Sequence, residues 1–478
     1  MANSPADFLR AIVCICRKLE SDMAARQDPP RDASEPGRPL HPSIARARER
    51  ESAVAAAPVP LEAAWLRKLC LDAGADDVGF VALDRPEIAE ERPHVLRAFP
   101  RTQTLISLVT RLHREAVRAP ARSVGNLEFH RNYHEINAVA RRIAGALEAR
   151  GVPALHPSAG FPMEMDQFPG RIWVVSHKPV AVAAGLGQIG LHRSVIHPEF
   201  GSFINLATIL VAAAITEETR PIAYNPCLSC KLCVAACPVG AIEPDGYFNF
   251  SACFTHNYRE FLGGFSDWVE TVAKAGSAKA LRRKVDISEQ ASMWQSLSFG
   301  ANYKAAYCIA ACPAGDDVIG PYLADKAGFV RSIVKPLQAK AEPVYVTPGS
   351  DAESHVRRRY PAKTVRRVAN GLLVKDIDGL LFGMRLSFQR NASIGLDATY
   401  HFRFTGDEPR EATITIRART LTITEGLKGN PALTVRADSR AWLQFVRKER
   451  GLLGLLLTRK LRLKGPPRLL LAFGKCFA

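Results

Sequence analysis

The stretch CLSCKLCVAACP, residues 227–238, constrains this chain more than any other part of it. It spells C-x2-C-x2-C-x3-C-P. Three thiolates so closely spaced can cap three irons of one cubane, while the fourth, turned away by the proline, ligates a second cluster. A structural zinc site takes two separated ligand pairs instead of one compact run. The segment from Pro226 to about Pro343 is therefore expected to be a loop-rich module that needs metal to fold compactly.

A second cysteine group lies in KAAYCIAACPAG, residues 304–315. Cys308 and Cys312 are spaced C-x3-C and followed by proline, but Ala305 stands where the preceding cysteine of such a motif belongs. By the crossed rule, Cys227, Cys230, Cys233 and Cys312 complete one 4Fe-4S cluster. Cys237, Cys308 and the intervening Cys253 remain as three ligands without a fourth. Three arrangements are compatible with that count: a 3Fe-4S cluster, a second 4Fe-4S cluster with an open or non-cysteine ligand such as His256, or no second cluster.

A chain of 478 residues suggests two or three domains. Seven of its 11 cysteines lie between Cys227 and Cys312, which favours metal binding in a reducing compartment over a disulfide framework. Cys14, Cys16, Cys70 and Cys476 read as reduced thiols. The N-terminus lacks a basic n-region and a cleavage site, and no apolar run reaches the length of a span, so a cytoplasmic protein without stable membrane insertion is expected. From Pro343 onward there are 25 Lys+Arg against 11 Asp+Glu. That excess makes a basic C-terminal surface suited to anionic lipid, acyl phosphate or nucleic acid.

Residues 1–60, rich in Pro, Ala, Arg and acid, read as a disordered tail. From Leu61, a helix before Gly74, the strands VGFVAL and TLISLVT, and a long helix carrying Ile136, Val139, Ile143 and Leu147 on one face imply an α/β layer over 61–225. Residues 226–342 form the cysteine-rich module and 343–372 a linker. Over 373–478, Tyr400, Phe402 and Phe404 alternate with His401 and Arg403 in half-buried antiparallel strands, and Asp438 or Ser439 caps a following helix. The fold class is thus α+β multidomain.

AVAAGLGQIGLHRSVIHPEFGS contains Gly185-x-Gly187-x-x-Gly190, the letters of a dinucleotide fingerprint. Its context is wrong for one: a helix end precedes it, no long helix follows, and no acid lies about 20 residues on. The glycines, with Gly201, can still admit close approach of a bulky cofactor.

The segment SHKPVAVAAGLGQIGLHRSVIHPEFGSFINLATIL, followed by the two cysteine motifs, resembles the epoxyqueuosine reductase and reductive dehalogenase group over roughly 61–340. That resemblance implies a nitroreductase-like α/β domain holding cobalamin without a protein ligand to cobalt. It also implies a ferredoxin-like domain with two 4Fe-4S clusters and an external electron donor such as a ferredoxin or flavodoxin. Two departures stand out. Ala305 replaces a cysteine, and no acid stands in GRIWVVSHKP, where queuosine reductases carry an aspartate proton donor. Tyr133, His134 and His177 are the candidate proton donors that remain, with His192 and His197 past the glycines.

Over 373–478, LDATYHFRFTGDEP, PALTVRADSRAWLQF and LLTRKLRLKGPPRLLLAFGKCF resemble the sterol carrier protein 2 domain. This implies a sheet covered by helices around an apolar tunnel for a lipid or sterol-like ligand. The expected protein is an iron-sulfur reductase acting on a hydrophobic substrate held or delivered by that domain. An electron-transfer adaptor and a tRNA-modifying reductase are the alternatives.

Overall fold

The computed structural model describes residues 43–44, 60–160, 171, 173–227, 229–372 and 374–477. The chain divides after Val59 into two units. Of the first, Ser43 and Ile44 are described, helical and exposed; the expected tail otherwise lies outside the described residues. The second unit, Pro60–Ala478, holds both cysteine motifs and every strand of the described residues.

Strands β1 (Asp77–Ala82), β2 (Thr104–Arg111), β3 (Ala154–Leu155) and β6 (Ile204–Val211) form a sheet ordered β1-β2-β6-β3. Every pair in it is antiparallel. An α/β layer is present: the long helix Arg122–Ala149 joins β2 to β3, which runs in the same direction as β2 with β6 antiparallel between them, Thr104 and Ala154 both registering with Val211. Ile106 faces Phe80 and Ile209 across the register, and these side chains pack on the helix stripe Ile136, Val139, Ala140 and Ile143. Leu105, Val109, Val81 and Leu210 point the other way, onto the helix His177–Ala183. β2 is buried on both faces, which is why TLISLVT is continuously apolar instead of alternating. Between that helix and β6, β4 (Gln188–Ile189) and β5 (Val195–Ile196) pair as a small hairpin.

Residues 226–342 are mainly helical. Cys233 lies on the helix Leu232–Ala236, Cys253 on Phe250–Asn257 and Cys308 on the single turn Tyr307–Ala310. Residues 343–372, expected as a linker, are folded. β7 (Pro343–Val346) and β8 (Thr364–Arg367) pair in parallel around the helix Asp351–Arg359. Val344, Val346, Ala352, Val356 and Tyr360 share one core with Cys233, Cys237 and Ala252. The Tyr360 hydroxyl donates to the carbonyls of Ala235 (2.6 Å) and Cys237 (3.2 Å). This segment completes the cysteine module.

The C-terminal sheet comprises β9 (Ala398–Thr405), β10 (Arg410–Arg417), β11 (Thr420–Glu425), β12 (Leu433–Asp438) and β13 (Leu461–Lys464), ordered β11-β10-β9-β12-β13. Its central pair, β9 and β12, is parallel, and the others are antiparallel. Tyr400, Phe402 and Phe404 pack with Trp442, Leu443 and Phe473 from the helices Ser439–Val446 and Arg468–Lys475. Asp438 caps the first of these by accepting from Ala441 N. The helix Ile377–Ser387 joins the same core through Ile377, Leu380 and Met384.

Candidate metal centre and apolar cavity

Sequence spacing divides the seven clustered cysteines into two sets, and their thiols act on one another both within and across that division. Cys312 is buried, which raises its thiol pKa, and Cys230 and Cys227 raise it further. Burial likewise raises Cys233, with Cys308, Cys230, Cys312 and Cys227 adding to it. Cys227, Cys230, Cys233 and Cys312 are thus within one another's electrostatic reach. In the second set, burial pushes Cys308 up to about 12, with Cys237 as its thiol neighbour. Cys253 is raised by burial and then by Cys237 and Cys308. Among the described residues, no three Cys, His, Asp or Glu side chains close on one ion-sized point, as a tetrahedral zinc site would demand.

Backbone N–H groups are already aimed at these sulfurs. Leu191 N lies 3.3 Å from Cys227 Sγ, and Ala241 N lies 3.3 Å from Cys237 Sγ. At Cys237, where burial raises the thiol, Ala241, Val239, Ile242 and Gly240 each pull it back down through their N–H groups. Such a nest stabilises anionic sulfur. The chemistry of these donors, clustered thiols with N–H groups directed at Cys227 and Cys237, fits an iron-sulfur centre.

Ala305 N donates to Asn257 Oδ1 (2.9 Å), which sets the missing-cysteine position against the helix carrying Cys253. His256 is buried and its Nε2 has no hydrogen-bond partner among the described residues. Its Nδ1 accepts from Tyr345 N (3.3 Å), its ring stacks on Tyr345, and burial holds it down at about 3, among Glu342, Arg122, Lys304 and Lys363. Lys178 is the cation nearest the second set. Its ammonium donates to Arg193 O (2.7 Å), and burial lowers it while Cys308 and Cys253 raise it. Sequence reasoning passed it over because a lysine after His177 in SHKP carries no spacing signal.

The glycines serve packing. A Cβ on Gly185 would meet Arg220 O at 2.3 Å, on Gly187 Ile196 O at 2.4 Å, and on Gly201 Ala314 O at 2.0 Å. One on Gly190 would lie 2.6 Å from Ile196 and 3.4 Å from Cys227 Sγ. These close approaches set the loop against neighbouring backbone and, at Gly190, beside Cys227. Ser202, next to Gly201, hydrogen-bonds the Cys312 thiol.

Tyr133 and His177 converge on Ser158. The Tyr133 hydroxyl lies 2.5 Å from Ser158 Oγ. His177 Nδ1 lies 2.9 Å from Thr208 Oγ1, and burial holds the ring down at about 4, with the Ser158 backbone opposing. His134 is exposed and touches this group only through its edge-to-face contact with Tyr133. His192 is buried, lowered to about 4 by burial and then by Lys178. His197 is an anchor, bonded to Asp77 Oδ2 (3.0 Å) and stacked on Phe200.

A cavity of about 1260 Å³ opens in the C-terminal fold, larger than the roughly 300–1,000 Å³ of ordinary small-molecule sites. Phe402, Phe404, Trp442 and Phe473 line its buried part. Thr347, Val368 and Asn370 from the segment around β8 wall one side, and the exposed Lys284, Lys448 and Lys475 stand at its rim.

Residues 387–478 match the model of the SCP-2 sterol transfer family. An epoxyqueuosine reductase of Listeria monocytogenes is 27% identical over 199 residues, 40% of this chain and 49% of that protein. One of Cellulophaga algicola is 31% identical over 117 residues, 22% of this chain and 38% of that protein. A crystal structure of epoxyqueuosine reductase with a tRNA-Tyr epoxyqueuosine-modified stem loop aligns at 17% identity and a TM-score of 0.30, covering 40% of this chain and 56% of that one. The chain spans half or less of these two curated relatives, and it joins a segment similar to epoxyqueuosine reductases to an SCP-2-type segment at its C-terminus.

Proposed function

We propose that the protein is an iron-sulfur oxidoreductase that reduces a hydrophobic substrate held by its C-terminal fold. The seven clustered cysteines, with Cys233, Cys237 and Cys312 buried and N–H groups directed at Cys227 and Cys237, carry this reading. Residues 61–225 act as a nitroreductase-like α/β domain, 226–342 as a ferredoxin-like domain completed by 343–372, and 373–478 as a sterol-carrier-like lipid-binding domain. Cys227, Cys230, Cys233 and Cys312 would hold a 4Fe-4S cluster; Cys237, Cys253 and Cys308 would hold a 3Fe-4S cluster or an incomplete 4Fe-4S cluster. These groups supply one-electron transfer from an external donor of the ferredoxin or flavodoxin type. Around them, Lys178 offsets negative charge near Cys253 and Cys308. Tyr133, held by Ser158, presents a hydroxyl that can give up a proton. Cobalamin is the further cofactor that the relatives suggest. Gly185, Gly187, Gly190 and Gly201 are the residues proposed to lie beside it, and no step is assigned to it.

A tRNA-modifying reductase is the second reading, favoured by the names of the curated relatives. Against it, the cationic excess lies from Pro343 onward, mostly in the part of the chain proposed to bind lipid. Anaerobic purification with iron, sulfide and cobalt quantified, and EPR of oxidised and reduced protein, separates the outcomes. Seven or eight irons per chain with an oxidised three-iron signal supports the main reading, and iron-free protein overturns it. Ala305→Cys is expected to convert the three-iron signal to that of a second 4Fe-4S cluster. Binding of tRNA that weakens steeply with salt would favour the second reading.

A further inference from the structure

The short helix Leu452–Leu457 has the sequence LLGLLL, yet within it only Leu455 is fully buried. Leu453 and Leu457, one helical turn apart, are 75% and 84% exposed, and Leu471 of the terminal helix is 62% exposed. An exposed apolar cluster marks a surface that meets a partner. Leu452 and Leu471 also line the cavity, together with Lys448 and Lys475, so the exposed leucines adjoin its mouth.

Charge says what the partner is. From Arg447 to the C-terminus the chain carries nine Lys+Arg and one acid, Glu449. Arg447 bonds the carbonyls of Val374 and Lys375, Arg450 bonds Thr458, and Lys460 pairs with Asp438. The other six, Lys448, Arg459, Arg462, Lys464, Arg468 and Lys475, are exposed and have no carboxylate partner among the described residues. A lysine that ends a helix complements its dipole, which accounts for Lys475 and not for the rest. A second copy of the chain would bring like charge against like charge across a two-fold interface. A nucleic acid would answer the cations and leave the leucines in water.

We propose that the helix Leu452–Leu457 and Leu471 form a docking surface for an anionic bilayer, placing the mouth of the cavity against the lipid. Exposed leucines enter the acyl boundary while Lys448 and Lys475 at the cavity, and Arg459 just after the helix, meet anionic headgroups, and reversible attachment of this kind takes both signals. The proposal goes beyond the reductase reading and is tested without turnover, so either can fail while the other stands.

The test is sedimentation of the full chain with vesicles of phosphatidylcholine alone and of phosphatidylcholine mixed with phosphatidylglycerol. Binding to the mixed vesicles, weak binding to the neutral ones and release by salt are expected. Leu453→Asp with Leu457→Asp is expected to lower partitioning by at least about tenfold, with iron content and the thermal midpoint unchanged. Lys448→Gln and Arg459→Gln should each lower it by about fivefold. Equal binding to both vesicles, no binding, or an unchanged leucine variant overturns the proposal. So does a wild-type dimer that the leucine variant dissociates. Should that variant misfold, the comparison across lipid compositions and salt still decides.

Discussion

Glu342 is the most heavily committed side chain near the cysteines. It accepts from Arg122 (2.6 Å) in front of the long helix, from Lys363 (2.8 Å) ahead of β8, and from the Tyr307 hydroxyl beside Cys308. Glu342 is 4% exposed and Lys363 0%. Replacing it by alanine strands a buried ammonium, and Glu342→Ala is expected to cost about 3–5 kcal/mol, read as a lower urea midpoint. His177 gives the same region a pH dependence. Its folded form resists protonation until about 4, whereas the unfolded imidazole takes up a proton near 6.5. Over that window the unfolded state binds the extra proton, so stability falls as pH drops from 6.5 to 4, by up to about 1.4 kcal/mol per pH unit. His177→Gln should flatten that slope in denaturation curves collected across the range.

At the scale of elements, Gly201 sets how closely the chain before β6 approaches the turn after Cys312. It has φ +63 and leaves 2.0 Å between a would-be Cβ and Ala314 O. Gly201→Ala should cost at least about 1–2 kcal/mol from the left-handed backbone alone. It should also lower iron content, because the displaced carbonyl belongs to the segment that positions Cys312. The long helix and the two buried strands were legible because each buries enough apolar side chains to write its period into the sequence. The strands of 343–372 were not. They are four residues each, and β8, reading TVRR, leaves Thr364, Arg366 and Arg367 exposed, so the pattern looks like polar linker. The parallel β9–β12 pair was hidden for another reason: alternation reports which face is buried and says nothing of strand direction.

For the whole molecule, the cysteine module and the C-terminal fold meet through specific bonds. Arg390 bonds Glu243 (3.0 Å) and Asp245 (2.6 Å), and its guanidinium lies over Tyr247. Tyr247 OH donates to Phe388 O (3.1 Å). Arg390→Ala is expected to lower the thermal midpoint, by an amount equivalent to about 1 kcal/mol that shrinks in high salt. The clustering of the cysteines is visible in their spacing, whereas the placement of Lys178 and the Tyr133–Ser158 contact depend on chain crossings that no local pattern records.

Arg118 donates to the carbonyls of both Ala310 (3.0 Å) and Cys312 (3.5 Å). Cys308 and Cys312, assigned to different sets, are four residues apart on that gripped turn, and Cys233 and Cys237 are four residues apart on another. In the proposed assignment each of these short stretches would give one ligand to either site, so the spacing between the sites would be held by local backbone, whether the C-terminal fold is full, empty or resting on a membrane.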